Sequence, residues 1–262
     1  MILPIIKLSN KEIILLSKLN GGIKMEKFNS SDKIGDIVAK FPKASDVFIE
    51  NKIDFCCGGN RPLAEAINEK GLDEKKIIDD LNKIYEEFLN NMDANKDVDW
   101  KEAPISELVD HVLNKHHGYL WDELPKISKL SLTILKVHGE HHPELSKVHK
   151  LFNTLRMELE EHLTKEETLQ YPAIREYEKT RSQADLKKAV NIIEELEKEH
   201  TGAGDILKEL REVTNDYAIP HDVCPTFELT YKKLQEIELD LFQHIHLENN
   251  ILFPRLKALL NK

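Results

Sequence analysis

The chain of 262 residues carries only three cysteines, Cys56, Cys57 and Cys224. An odd count, with two of the three adjacent, excludes a disulfide framework and fits a reducing compartment, so a cytoplasmic location is expected. Glycine and proline are scarce, at ten each. Together with long stretches of Leu, Ile, Glu and Lys, that scarcity disfavours a turn-rich β architecture and favours helix. No apolar run reaches the roughly 18 residues of a membrane span, and Ile2–Ile6 is too short for the apolar region of a signal peptide. No block of Lys or Arg is present and the formal net charge is −10, which argues against a nucleic-acid-binding face. What is present is a 40% hydrophobic content, enough for a real core, with 32% charged residues. The length suits one large or two modest domains.

Residues 1–24 have two readings. Asn20-Gly21-Gly22-Ile23 can be encoded by a purine-rich stretch resembling a bacterial ribosome-binding site, placing a second start at Met25 and making residues 1–24 an extension upstream of it. The other reading is a short, frayed amino-terminal arm. The amino-terminal sequence of the native protein decides between them.

Residues 25–90 read as a small helical domain. Lys33–Lys40 and Ser45–Asn51 are brief amphipathic pieces separated by Phe41-Pro42, and Ile53-Asp54-Phe55-Cys56-Cys57-Gly58-Gly59-Asn60 is a turn by its glycines. Pro62 opens a helix that Gly71 closes, and Asp73 caps the next, which runs to about Asn90. Residues 91–103 are polar and aperiodic and read as a linker. Residues 104–262 hold four long helical patterns, at roughly 104–139, 143–178, 184–214 and 225–260, each about 45 Å long at about 1.5 Å per residue. Four such helices with short joints predict an all-α, up-down-up-down four-helix bundle.

Apolar residues at steps of three and four define one seam on each helix. The seams are Ser106, Val109, Leu113, His117, Leu120, Leu124; then Leu155, Leu159, His162, Glu166, Leu169; then Ile193, Leu196, His200, Ala203, Leu207, Leu210; and finally Leu234, Ile237, Leu241, His244, Glu248, Ile251. Each seam has a polar interruption, and together these are four histidines and two glutamates. Glutamate is seldom buried unless it is paired or binds metal. One core histidine is commonly just a hydrogen-bonded structural residue, but four on four seams, two with a glutamate one turn on, fit that explanation poorly.

An internal repeat strengthens the pattern. His162 through Arg175 and His244 through Lys257 share H-x3-E-x2-[LI]-x-[FY]-P-x-[IL]-[RK]. Residues four apart on a helix are neighbours, so each copy presents one imidazole and one carboxylate on the same face. Six ligands are too many for one tetrahedral zinc and suit two metals bridged by carboxylates, with Glu166 and Glu248 as the bridges. A mixed nitrogen and oxygen set in a helical bundle points to iron. An oxo or hydroxo bridge would offset part of the positive charge, and open positions would admit O2, NO or peroxide. Of the other histidines, His116 and His246 fall off the seams. His138, His141, His142 and His149 read as solvated surface near the first joint. Glu167 adjoins Glu166 and points away from it, the alternative being a swap of roles between the two.

Cys56 and Cys57 sit in a Gly-rich turn ahead of the helix at Pro62, where a thiol pKa is expected to be lowered. They are therefore candidate redox or iron-handling thiols, the alternative being a turn chosen for shape with inert thiols. Cys224, before Pro225, reads as structural.

These features resemble the bacterial repair-of-iron-centres family. The resemblance is carried by Phe41-Pro42-Lys43-Ala44 with Ile53 through Gly59, by Glu161-His162 through Glu166-Glu167, and by His244 through Glu248-Asn249-Asn250 and on to Phe253-Pro254. It is supported by Asp110-His111, His117 and Glu199-His200 beside Gly202-Ala203-Gly204, and covers about residues 30–260. It implies a hemerythrin-like bundle with two irons per chain on His117, His162, Glu166, His200, His244 and Glu248, the two glutamates bridging. It also implies repair of iron–sulfur proteins damaged by nitrosative and oxidative stress, and a homodimer. Reduction of NO or peroxide, or O2/NO sensing or carriage as in hemerythrins, are the competing activities. Two positions depart from the family pattern: His116 stands where an aromatic usually precedes the histidine, and Tyr171 where Phe is commoner.

Overall fold

The computed structural model describes residues 27–90 and 98–261. The reading of residues 1–24 and most of the expected linker lie outside them.

The small domain consists of α1 (Ile34–Lys40), α2 (Ala44–Glu50), α3 (Leu63–Lys70) and α4 (Glu74–Asn90). The local signals act as their chemistry dictates. Gly71 ends α3 in the left-handed region at φ 62°, and the Asp73 carboxylate accepts a hydrogen bond from the Lys76 N–H at 3.1 Å. Phe28, Phe41, Phe48, Phe55, Leu63 and Leu81 form the apolar centre. Asn82, buried on α4, fastens the entering chain by accepting from the Phe28 N–H (2.8 Å) and donating to the Phe28 carbonyl (2.9 Å).

The larger unit is built from four rods. The first joins α5 (Ile105–His111) through a π-helical turn (Val112–His117) to α6 (Gly118–His138). The second joins α7 (Glu144–Lys165) through a π-turn (Glu166–Gln170) to α8 (Tyr171–Thr180). The third is α9 (Gln183–Asn191) followed by α10 (Ile193–Val213), and the fourth joins α11 (Pro225–Leu247) through a π-turn (Glu248–Leu252) to α12 (Phe253–Leu260). The first rod packs on the second and fourth, and the second on the third, while α9 packs on α12 to close the ring. That is the up-down-up-down arrangement expected from the sequence. The third rod differs from the single helix expected over 184–214: its two segments meet at Ile192, where φ falls to −89°.

The π-turns explain where the seam register was misread. A π-turn inserts one extra residue, which rotates everything after it by about a quarter turn. Leu169, expected in the core, is 58% exposed, while Gln170 and Tyr171 are buried. On the first rod Ile105, Leu108 and Val112 are buried with Val109, whereas Ser106 and Leu113 are only half-buried. Pro172 and Pro254 each follow a π-turn by two residues. Proline lacks an N–H and crowds the preceding turn, and the widened turn accommodates it within an otherwise continuous rod.

Two apolar clusters fill the bundle. One gathers residues such as Leu124, Phe152, Leu207, Phe227 and Leu241. The other gathers Val109, Tyr171, Ile174, Leu196 and Phe253. The histidines and glutamates of the seams fall between them in every rod. Full burial of a Leu or Phe contributes roughly 1.5–3 kcal/mol. The two clusters therefore offset the several kcal/mol per ion that desolvating the carboxylates costs.

Candidate metal centre

The structure brings His117, His162, Glu166, His200, His244 and Glu248 together, all essentially inaccessible to solvent. They form two groups, each with ligand atoms mutually within 4.8 Å: His117, Glu166, His244 and Glu248, and His162, Glu166, His200 and Glu248. Both glutamates belong to both groups. Glu166 Oε2 lies 3.3 Å from His117 Nε2 and 3.4 Å from His162 Nε2. Glu248 Oε2 lies 3.2 Å from His200 Nε2 and 3.3 Å from His244 Nε2. Each carboxylate thus stands between one histidine of each group.

Three of the imidazoles are oriented from behind. His117 Nδ1 pairs with Glu167 Oε1 at 2.9 Å, His162 Nδ1 with Glu199 Oε2 at 2.8 Å, and His200 Nδ1 with Asn249 Oδ1 at 2.8 Å. A proton held on Nδ1 leaves the Nε2 lone pair facing the centre, as a metal ligand requires. Trp121 Nε1 donates to the same Glu167 oxygen at 2.9 Å. His244 has no hydrogen-bond partner on either nitrogen among the described residues, but His116 stacks on it at 5.5 Å and is itself tied to Asp240 at 2.9 Å.

The electrostatics are those of carboxylates buried among imidazoles. Burial and Glu248 push Glu166 up, but His162 and His117 outweigh them and its pKa lies below the ordinary range. Burial likewise raises Glu248, yet His244 and His200 hold it well below normal. Burial opposes the charged form of His162, and Glu166 with Glu199 overcomes this to bring it to about 10. Burial lowers His244. Both Glu166 oxygens, Glu248 Oε2 and both His244 nitrogens lack a hydrogen-bond partner among the described residues. Buried polar atoms left without partners in this way are ones a bound ion would satisfy. The donor set of four imidazoles and two carboxylates fits two transition-metal ions.

Four partners of the centre escaped the sequence reading. Glu167, read as pointing away, orients His117, and His116, read as off the seam, is fully buried beside His244. Both follow from the π-turns, which aim adjacent residues at neighbouring surfaces. Glu199 and Asn249 stand next to ligands in sequence, and that adjacency was the available signal for their supporting role.

The cysteine turn docks beside this centre. Asn250 Nδ2, on the third π-turn, donates to the carbonyls of Phe55 (3.2 Å) and Cys56 (3.0 Å). A Cβ on Gly35 or Gly59 would come within 2.5 or 2.6 Å of Asn250 Oδ1, so glycine is what permits this approach. Cys57 Sγ donates to the carbonyl of His200 at 3.5 Å. The thiol chemistry differs from expectation. Cys56 is buried, and a hydrogen bond with Cys57, burial and the nearby Asp54 all push its pKa well above normal. The turn precedes α3 by several residues, too far for the helix end to lower it. Cys224, read as structural, instead contacts His138 Nε2 at 3.1 Å, and that contact lowers its pKa to about 7. His142, read as surface, is buried between Glu144 and Asp222.

Comparison with known proteins agrees with this architecture. Residues 30–85 match the ScdA_N model, described as a domain of unknown function, and residues 108–256 match the hemerythrin HHE cation-binding domain. The chain is 32% identical over 225 residues to iron–sulfur cluster repair protein YtfE of Escherichia coli strain ED1a and of Shigella boydii serotype 4, and 31% identical to that of Citrobacter koseri. Each alignment spans 86% of this chain and 96% of the relative. Among the described residues no helix is long and apolar enough to cross a membrane.

Proposed function

Because the chain belongs to the family of iron–sulfur cluster repair proteins that join a ScdA_N domain to a hemerythrin cation-binding domain, we propose that it is a cytoplasmic non-haem di-iron protein that restores iron–sulfur clusters damaged by nitrosative and oxidative stress. One iron is assigned to His117 and His244 and the other to His162 and His200. Glu166 and Glu248, each beside one histidine of either pair, would serve both ions, and an oxo or hydroxo group would offset part of their charge. The observation that carries this reading is the sharing of both carboxylates between the two histidine pairs. When bound, the irons supply redox and Lewis-acid chemistry and a store of deliverable metal.

The protein's own part is positional. Glu167, Glu199 and Asn249 hold three imidazoles in the ligating tautomer. The apolar clusters exclude water from the carboxylates. Ligation needs neutral imidazoles, so a proton leaves His162 as metal enters and affinity rises with pH. In this reading the partners are damaged iron–sulfur proteins, with NO, O2 or peroxide as small ligands, and the chain works as a homodimer.

The test is recovery of an NO-damaged iron–sulfur enzyme on adding the iron-loaded protein, with Glu166→Leu as control. Recovery that depends on Glu166 supports repair by iron delivery, and recovery no greater than with free iron withdraws it. A second reading, reduction of NO or peroxide at the same centre, is favoured by the thiol of Cys57 lying against the carbonyl of His200. Sustained turnover with a chemical reductant separates it from stoichiometric delivery, and binding without turnover would indicate sensing.

A further inference from the structure

The two copies of the repeat make the centre pseudo-symmetric. The supports of the imidazoles break the symmetry, with Glu167 behind His117 where Asn249 stands behind His200, and so does one aromatic pair inside the centre. Tyr171 stands nine residues after His162, and Phe253 nine residues after His244. Both are buried, each just beyond its own π-turn, and each faces an imidazole supplied by a different rod. The Tyr171 ring lies 5.5 Å from that of His117, and the Phe253 ring is stacked 6.0 Å from that of His200 with an interplanar angle of 5°. Tyr171 therefore belongs to the pair His117 and His244, and Phe253 to the pair His162 and His200.

The difference between the two aromatics is one hydroxyl, and the hydrogen bonding follows it. The Tyr171 hydroxyl donates to Glu248 Oε1 and lies 3.5 Å from His117 Nε2. Repeat symmetry pairs Phe253 with Glu166 as it pairs Tyr171 with Glu248. Phenylalanine offers no donor, and both Glu166 oxygens lack a hydrogen-bond partner among the described residues. Tyr171 is 1% exposed, so its O–H has no bulk water to turn to. An unpaired buried hydroxyl is costly, which keeps the phenol aimed at the centre.

From this contrast we propose that Tyr171 makes the two metal positions unequal, holding Glu248 by a hydrogen bond and placing a protic group beside the His117/His244 position alone. The inference rests on the two-metal reading above. Tyr171 acts as a positioning residue toward Glu248. Its O–H is a single donor, so it serves a small anion bound at the His117/His244 position by turning to that anion from Glu248, which the metals then hold. Loss of one such buried bond is worth about tenfold in affinity.

The test uses the full chain loaded anaerobically with ferrous iron. Metal content, stepwise metal affinity by calorimetry and Mössbauer spectra are recorded for the wild type, Tyr171→Phe and Phe253→Tyr. After oxidation, azide binding is followed optically. The wild type is expected to show two distinct iron environments. Tyr171→Phe is expected to keep two irons, bring the two environments closer and weaken azide about tenfold. Phe253→Tyr is expected to narrow the difference by supplying the missing donor. Two equivalent irons in the wild type would overturn the inference without any variant. Unequal irons that persist unchanged in Tyr171→Phe, with wild-type azide affinity, would overturn it too. In both cases the di-iron reading stands. A wild type that cannot hold two irons removes that reading itself, and this inference with it.

Discussion

Asn250 donates to the carbonyl of Cys56 at 3.0 Å, and this contact ties the cysteine turn to the rod that carries His244 and Glu248. The same side chain donates to the Phe55 carbonyl, and Phe55 packs edge-on against Phe242 of α11 at 5.9 Å. The small domain is thereby held against the fourth rod beside the candidate ligands His244 and Glu248.

Replacing Asn250 with Ala should loosen this docking. The carbonyls of Phe55 and Cys56 lose their donor, at a cost of roughly 1–3 kcal/mol. Alkylation of Cys56 in the native protein is expected to speed up about tenfold or more, while metal content stays near the wild-type value. Unchanged alkylation would show that Asn250 does not carry the contact.

The sharing of Glu166 and Glu248 predicts an asymmetric pattern of metal loss. His117→Ala should leave the His162/His200 position filled and give about one metal per chain. Glu166→Leu touches both positions and should give less than one. Elemental analysis of purified protein decides, and equal stoichiometry in the two variants would contradict the shared-carboxylate geometry.

Glu199 accepts from His162 and also pairs with Lys165, and His162 pulls its pKa down to about 2. Glu199→Gln keeps the shape and removes the charge. Removing a support of this kind costs roughly 10–100-fold in metal affinity, which competition with a chromogenic chelator would measure. Wild-type affinity in this variant would mean that the pairing is structural only.

The thiols should react in an order opposite to a reading from sequence. The Cys224 pKa is depressed to about 7 by His138, so its thiolate is substantially populated at neutral pH and falls away as pH drops below about 7. Cys56 is raised and should stay protonated and slow there. Iodoacetamide labelling followed by peptide mapping should find Cys224 modified well before Cys56. The Cys224 rate should reach half its maximum near pH 7, and His138→Ala should shift that midpoint upward. A midpoint that ignores the His138 substitution would refute the pairing.

Much of this was legible in the chain itself. Helical periodicity, four polar interruptions of apolar seams and a repeat too specific to be chance placed His117, His162, Glu166, His200, His244 and Glu248 on inward faces of four helices. The turn signals at Gly71 and Asp73 acted locally and so could be read locally. The misreadings of seam register share one cause. Leu169, Ser106 and Leu113 were assigned by counting at a constant 3.6 residues per turn, and the π-turns at Val112–His117 and Glu166–Gln170 break that count.

Sequence alone therefore determined the helical class, the four rods and the identity of the candidate ligands, because those depend on periodicity and side-chain chemistry along a single element. The pairing of histidines across rods, the sharing of each carboxylate, the support from Glu167, Glu199 and Asn249, and the seat of Cys57 against His200 were decided by tertiary structure. So was the contrast between a Cys56 thiol whose pKa is pushed up and a Cys224 thiol whose pKa is pulled down. Each of these depends on which groups from distant parts of the chain meet in a water-poor interior, where a few ångströms set hydrogen bonds, charge and pKa.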